Sequence, residues 1–121
     1  MPGFELFFQL LVGHALADFV LQSEAMGRGK NRNSDIHHNE ASSFPSWYYW
    51  LSAHSLVHGG IVYLITNSLL LGLIETASHW LIDFAKCEGK IGLHTDQALH
   101  IGLKAAYVLA IYYWFTPHFL L

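Results

Sequence analysis

The stretch ETASHWLIDFAK, residues 75–86, decides how this chain is read. Its background is Leu, Ile, Trp, Phe and Ala, yet Glu75, His79 and Asp83 recur at two successive spacings of four. An α-helix turns about 100° per residue, so a step of four returns a side chain to within about 40° of the same face. The spacing predicts an apolar helix with one ionisable stripe.

The pattern recurs along the chain. A first apolar block carries His14, Asp18 and Gln22, a second His54 and His58, and a fourth Asp96, His100 and Lys104. The blocks cover about 4–21, 47–66, 68–86 and 95–116, each close to the about 20 residues a helix needs to cross the hydrocarbon core. Composition agrees: 53% of the 121 residues are hydrophobic and only 12% charged, the wrong balance for an ordinary soluble domain. The aromatic runs Trp47-Tyr48-Tyr49-Trp50 and Tyr112-Tyr113-Trp114 sit at block ends, where membrane interfaces favour such rings. The expectation is an all-α chain, a single integral membrane domain forming a four-transmembrane-helix antiparallel bundle. A soluble all-α bundle is the competing reading, because the blocks contain ionisable residues. The first block has no Lys or Arg ahead of it and carries Glu5, His14 and Asp18, so it reads as a retained helix and not as a secretory signal. Cys87 is the only cysteine, which excludes an intrachain disulfide and a thiolate cage.

Orientation follows from the basic residues. Arg28, Lys30 and Arg32 lie in the polar stretch 22–46, and Lys86 and Lys90 lie between the third and fourth blocks. The positive-inside rule makes these first and third loops cytoplasmic and places the chain in the inner (cytoplasmic) membrane as a multi-pass protein. The basic run reads as an orientation and head-group signal. A net charge of −3 gives no support for a nucleic-acid partner.

Counted from the cytoplasmic ends, Asp18, His54, Asp83 and Asp96 form one layer, and His14, His58, His79 and His100 form a second layer about one turn deeper. Glu75 and Lys104 fall at matching depth below them and are expected to pair. HALADF, residues 14–19, resembles HWLIDF, residues 79–84, which suggests two repeated helical hairpins.

Ionisable residues at a helix centre cost about 2.5 to 3.5 kcal/mol each on insertion scales, so they are by default functional or paired. His and Asp are ligands for Zn, Mn or Fe, and four-helix bundles hold two metals on inward-facing side chains. The expected cofactor is therefore a divalent metal, two ions, held by His14, Asp18, His54, His58, His79, Asp83, Asp96 and His100. Glu75, Gln22 and Lys86 are the catalytic or substrate-binding candidates. Two metals can activate a water and stabilise a leaving oxygen. The function expected is a membrane-embedded metal-dependent hydrolase whose partners are membrane lipid and a lipid or phosphorylated lipid-like substrate at the cytoplasmic leaflet. The alternatives are a di-iron oxidoreductase on acyl chains, a proton or metal transporter using the same layers, and a polar network that only glues helices. DIHHNE, residues 35–40, reads as solvated loop or lid, Gly59-Gly60 as close helix packing, and His118 as interfacial.

HALADFVLQSEAM, residues 14–26, HWLIDFAK, residues 79–86, and DQALH, residues 96–100, with His54 between them, resemble the small bacterial and phage membrane proteins of the domain of unknown function 3307. The resemblance implies that His14, Asp18, Gln22, His54, His79, Asp83, Lys86, Asp96, Gln97 and His100 are motif positions. It implies membrane helices and a shared polar site, and brings no activity with it. His58 and Glu75 rest on the spacing alone.

Overall fold

The computed structural model describes residues 2–38 and 43–115, the side chains of Trp114 and Phe115 aside. Asn39 and Glu40 of the loop stretch, Thr116 at the expected end of the fourth block, and His118 lie outside the described residues. All regular structure among the described residues is helical: α1 (Pro2–Ala15), α2 (Glu24–Gly29), α3 (Trp47–Thr66), α4 (Leu69–Cys87) and α5 (Leu93–Ala110), with a short 3₁₀ turn at Asp35–His37.

Helix α1 starts at Pro2, whose fixed φ suits a first helical turn. It does not stop at Ala15. It widens into a π-turn over Leu16–Val20, closed by the Leu21 N–H donating to the Leu16 carbonyl at 2.8 Å. A second π-turn, Ile111–Phe115, extends α5. π-turns inside α-helices cluster at functional positions, and Asp18 sits inside the first.

Helices α3 and α4 form the tightest hairpin. Asn67 turns the chain in the left-handed region at φ 55°, which Asn tolerates, and Ser68 caps α4 by accepting from the Leu71 N–H at 3.2 Å. Two glycines then allow the helices to touch. A Cβ at Gly59 would lie 1.8 Å from Thr76 Oγ1 and 2.6 Å from the Gly72 carbonyl oxygen, and one at Gly72 would lie 2.9 Å from Tyr63 Cβ. At the other end α4 closes on Gly89, φ 75°, with Lys90 N–H donating to the Ala85 carbonyl at 3.0 Å, the pattern of a glycine-terminated helix.

Helix α1 packs on α3 and α5, and α4 packs on α3 and α5, so the helices run α1–α3–α4–α5 round a closed ring. The repeated segments HALADF and HWLIDF therefore lie on diagonally opposed helices. The two differ locally, since α4 stays α-helical through Asp83 where α1 becomes π at Asp18.

The interior is inverted relative to a water-soluble domain. Among the described residues the buried side chains are apolar at only six positions, with Leu10, Val62, Leu71 and Tyr107 clustered, against twelve polar or charged ones. Phe4, Phe8, Phe19, Val20, Leu64, Leu69 and Leu81 point outward and are exposed. Among the described residues one helix, Pro2–Val20, is apolar enough overall and long enough to cross a membrane. In α3, α4 and α5 the inward His, Asp, Glu and Lys residues lower the average while their outer faces stay apolar.

The described residues 22–38 of the polar stretch are tied down by specific bonds. Arg32 pairs with Glu88 and lies over the Phe84 ring at 5.1 Å, Asn33 donates to Glu88 Oε2 at 2.6 Å and to the Cys87 carbonyl at 3.3 Å, and His37 donates to the Gly29 carbonyl at 2.7 Å. The Arg32 and Asn33 contacts dock this segment on the end of α4, and the His37 bond ties it back to α2. The Asn33 amide first, and then the Arg32 guanidinium, hold the Glu88 carboxyl below the usual glutamate range. A carboxyl whose folded value is lowered contributes stability above the unfolded value of about 4.3, and that stability is lost as pH falls through the folded value. Amide protection over residues 31–38 is expected to hold at neutral pH and to fall below about pH 4, and Glu88→Gln is expected to remove the dependence. Exchange protection factors against pH measure it.

Candidate metal centre

Six of the eight expected ligands come from two residues per helix at a spacing of four on α3, α4 and α5, and His14 and Asp18 from α1 and its π-turn. All eight are buried. The four deeper histidines close a ring: centroid distances are 5.4 Å for His14 to His58, 3.6 Å for His58 to His79, 4.3 Å for His79 to His100 and 5.3 Å for His100 to His14. His54 stands beside the ring, 4.8 Å from His58 and 4.9 Å from His79. The depth-matched layers are thus brought together in space.

Asp18 organises one side. Its Oδ1 accepts from His54 Nε2 and His58 Nε2, both at 3.2 Å, and its Oδ2 accepts from Gln97 Nε2 at 2.8 Å. Widening the helix at Leu16–Val20 turns Asp18 away from the simple stack over His14, whose Nε2 is 3.6 Å from Oδ2, and aims it at α3. Asp18, His54, His58 and His79 offer ligand atoms that all lie within 4.8 Å of one another. Three imidazoles and one carboxylate suit Zn, Mn or Fe.

His79 is the least satisfied member. It is 0% exposed, and neither ring nitrogen has a hydrogen-bond partner among the described residues. Its Nδ1 is 3.8 Å from Glu75 Oε1 and its Nε2 is 3.9 Å from Asp83 Oδ2, both beyond hydrogen-bond reach. A buried polar group left unpaired costs about 1 to 3 kcal/mol, so an imidazole in this position calls for a ligand on its lone pair.

The other two aspartates are held by lysines. Asp83 Oδ2 is 2.7 Å from Lys30 Nζ, and Lys86 Nζ is 3.6 Å from both Asp83 Oδ1 and Asp96 Oδ2. Asp96 Oδ1 is 3.3 Å from His100 Nε2. Lys30 was not among the sequence candidates; it looked like one more residue of a basic surface run. The structure buries it at 4% exposure, steered inward by Gly29, where a Cβ would lie 2.4 Å from Trp50 Cδ1. Gln97 was reached only through the family resemblance. One residue after Asp96 it lies off the spacing-of-four stripe, yet its amide oxygen accepts from His14 Nε2 at 3.0 Å while its nitrogen donates to Asp18 and, at 3.0 Å, to Asp96 Oδ2.

Two of the three catalytic candidates have defined partners. Lys86 stands at the mouth, 27% exposed, between Asp83 and Asp96. Glu75 pairs with Lys104, as matching depth predicts, and its Oε2 accepts from Tyr107 at 2.7 Å. Gln22 rests over Gly27 with its amide oxygen buried and unpartnered among the described residues. A second convergent group, Glu75, His79 and His100, shares His79 with the first.

No curated protein and no solved structure matches the chain. A family model does, over residues 6–119, nearly the whole length. The chain belongs to that family, described as protein of unknown function DUF3307.

Proposed function

We propose that the protein is a membrane-embedded, metal-dependent hydrolase acting on a lipid or phosphorylated lipid-like substrate at the cytoplasmic leaflet. One observation carries the reading: His79, fully buried and unbonded, converges with Asp18, His54 and His58 on a common point. The membrane part rests on the inverted interior, for a bundle with charges inside and Phe and Leu outside is stable only where the surroundings are apolar.

An ion at Asp18, His54, His58 and His79 supplies water activation and charge stabilisation. Gln97 fixes the Asp18 carboxylate, Lys30 is buried against Asp83, and Lys86, held between Asp83 and Asp96 at the cytoplasmic mouth, is ready to exchange a carboxylate for an anionic head group. Charge favours such a ligand. With neutral imidazoles, the carboxylates of Asp18, Glu75, Asp83 and Asp96 exceed the ammonium groups of Lys30, Lys86 and Lys104 by one. A divalent cation turns that deficit into an excess of one positive charge, which a monoanion balances.

A proton pathway is the second reading, and the unbroken imidazole ring favours it, because one protonated histidine also balances the charge. The two separate in a single preparation. Protein purified in detergent without added metal is assayed for bound ions, then for release of fatty acid or phosphate from mixed micelles of phosphodiester and phosphomonoester lipids. A bound divalent ion with release that stops on chelation supports the hydrolase. A folded wild type that holds no ion after incubation with Zn or Mn overturns it.

A further inference from the structure

The second convergent group is built like a metal site. Glu75, His79 and His100 are 0%, 0% and 1% exposed, their ligand atoms lie within 4.8 Å of one another, and the Nδ1 atoms of His79 and His100 have no hydrogen-bond partner among the described residues. A carboxylate and two bare imidazole nitrogens are a recognised donor set for a divalent ion. What distinguishes this group from the first is that its carboxylate already has a cation. Lys104, on α5 and 1% exposed, donates to Glu75 Oε1, while Tyr107 occupies Oε2.

We infer that the Lys104 ammonium holds the place of a second metal ion, so that a ligand set offering two ion sites takes one, and that this single lysine fixes the number. A buried carboxylate requires one compensating cation. An ammonium and a metal ion serve that need equally, but both together on one carboxylate repel strongly where the dielectric is low. The lysine is tethered and cannot be lost to a chelator. It also brings one positive charge where a metal brings two, leaving the centre near neutrality when the first ion and a monoanion are bound. In the proposed hydrolase Lys104 thus lies where a second ion would lie, on the opposite side of His79 from Asp83.

The inference rests on the proposed function only for the first ion, and counting ions separates the two. Wild type, Lys104→Met and Glu75→Gln/Lys104→Met are purified in detergent, stripped with chelator, reloaded with Zn or Mn and assayed for metal per chain after gel filtration. The expected contents are about one, about two and about one ion per chain, because Lys104→Met frees the carboxylate, a second ion would displace the one proton of the shared His79 ring to solvent, and the added Glu75→Gln removes the carboxylate again without leaving a buried charge. Lys104→Met is also expected to gain thermal stability from added metal more than wild type does. An ion count equal to that of wild type in a folded Lys104→Met chain overturns the inference. So does a Lys104→Met chain that fails to fold even with metal present while the double variant folds, because no ion has then replaced the ammonium. A wild type without any ion, beside a Lys104→Met chain with one, sinks the first site and leaves this one standing.

Discussion

His79→Ala and Asp18→Asn are expected to empty the centre while leaving the helices in place. Removing even a group that orients a ligand typically costs 10- to 100-fold in metal affinity, and these two are the ligands themselves, so a loss of about 100-fold or more is expected in each. The two substitutions act differently on the fold. Alanine at position 79 leaves a cavity between His58 and His100, whose rings stack on it at 3.6 and 4.3 Å, whereas asparagine at 18 keeps the volume and an oxygen acceptor for His54 and His58. Asp18→Asn is therefore the cleaner test, although its new amide nitrogen faces the Gln97 Nε2 donor, and its melting temperature measured without metal is expected to fall less than that of His79→Ala. Titration of Zn into the stripped proteins, read calorimetrically beside circular dichroism, measures both quantities. Undiminished affinity in Asp18→Asn would remove Asp18 from the ligand set.

Gly59→Ala is expected to have the largest effect on stability of any single methyl group added to the bundle. Its Cβ would meet Thr76 Oγ1 and the Gly72 carbonyl at distances no atoms tolerate, and Thr76 is held in place by its own bond to that carbonyl at 2.9 Å. Helix α3 must then move off α4, loosening a contact that positions His54 and His58 against His79. Overpacking of this kind costs about 3 kcal/mol, the upper end of its usual range, because backbone and not only side chain must shift. Gly60→Ala is the control. Nothing lies within 4 Å of its added Cβ, so it is expected to be neutral or to stabilise by up to about 1 kcal/mol through helix propensity. Unfolding of both variants in mild detergent and denaturant checks the contrast.

Much of the site was legible because helical geometry is rigid. A residue's depth follows from its number, so the ring of His14, His58, His79 and His100 and the pairing of Glu75 with Lys104 could be read by counting along antiparallel helices. The all-helical architecture followed from the same periodicity. Where the backbone leaves the α-helix, counting fails. Nothing in LADFV marks a π-turn at Leu16–Val20, so the aim of Asp18 at α3 was not readable. Lys30 belongs to a stretch without periodicity, and its burial depends on its pairing with Asp83 and on the docking of Arg32 and Asn33 at Glu88, a tertiary event. Gln97 lies off the stripe and reaches the site only through the length of its side chain.

The ring order of the helices has a consequence for biogenesis. Each polar face finds its partners on other segments: Asp18 waits for α3 and Gln97, Asp83 for Lys30, and Glu75 for Lys104, which is made last. The α3–α4 hairpin, joined by a two-residue turn and a glycine crossing, can form by itself, but it exposes His54, His58, Glu75, His79 and Asp83 until the remaining segments arrive. Completion of the core therefore waits for α5, and a chain truncated before α5 is expected to be a substrate for quality control rather than a smaller working protein.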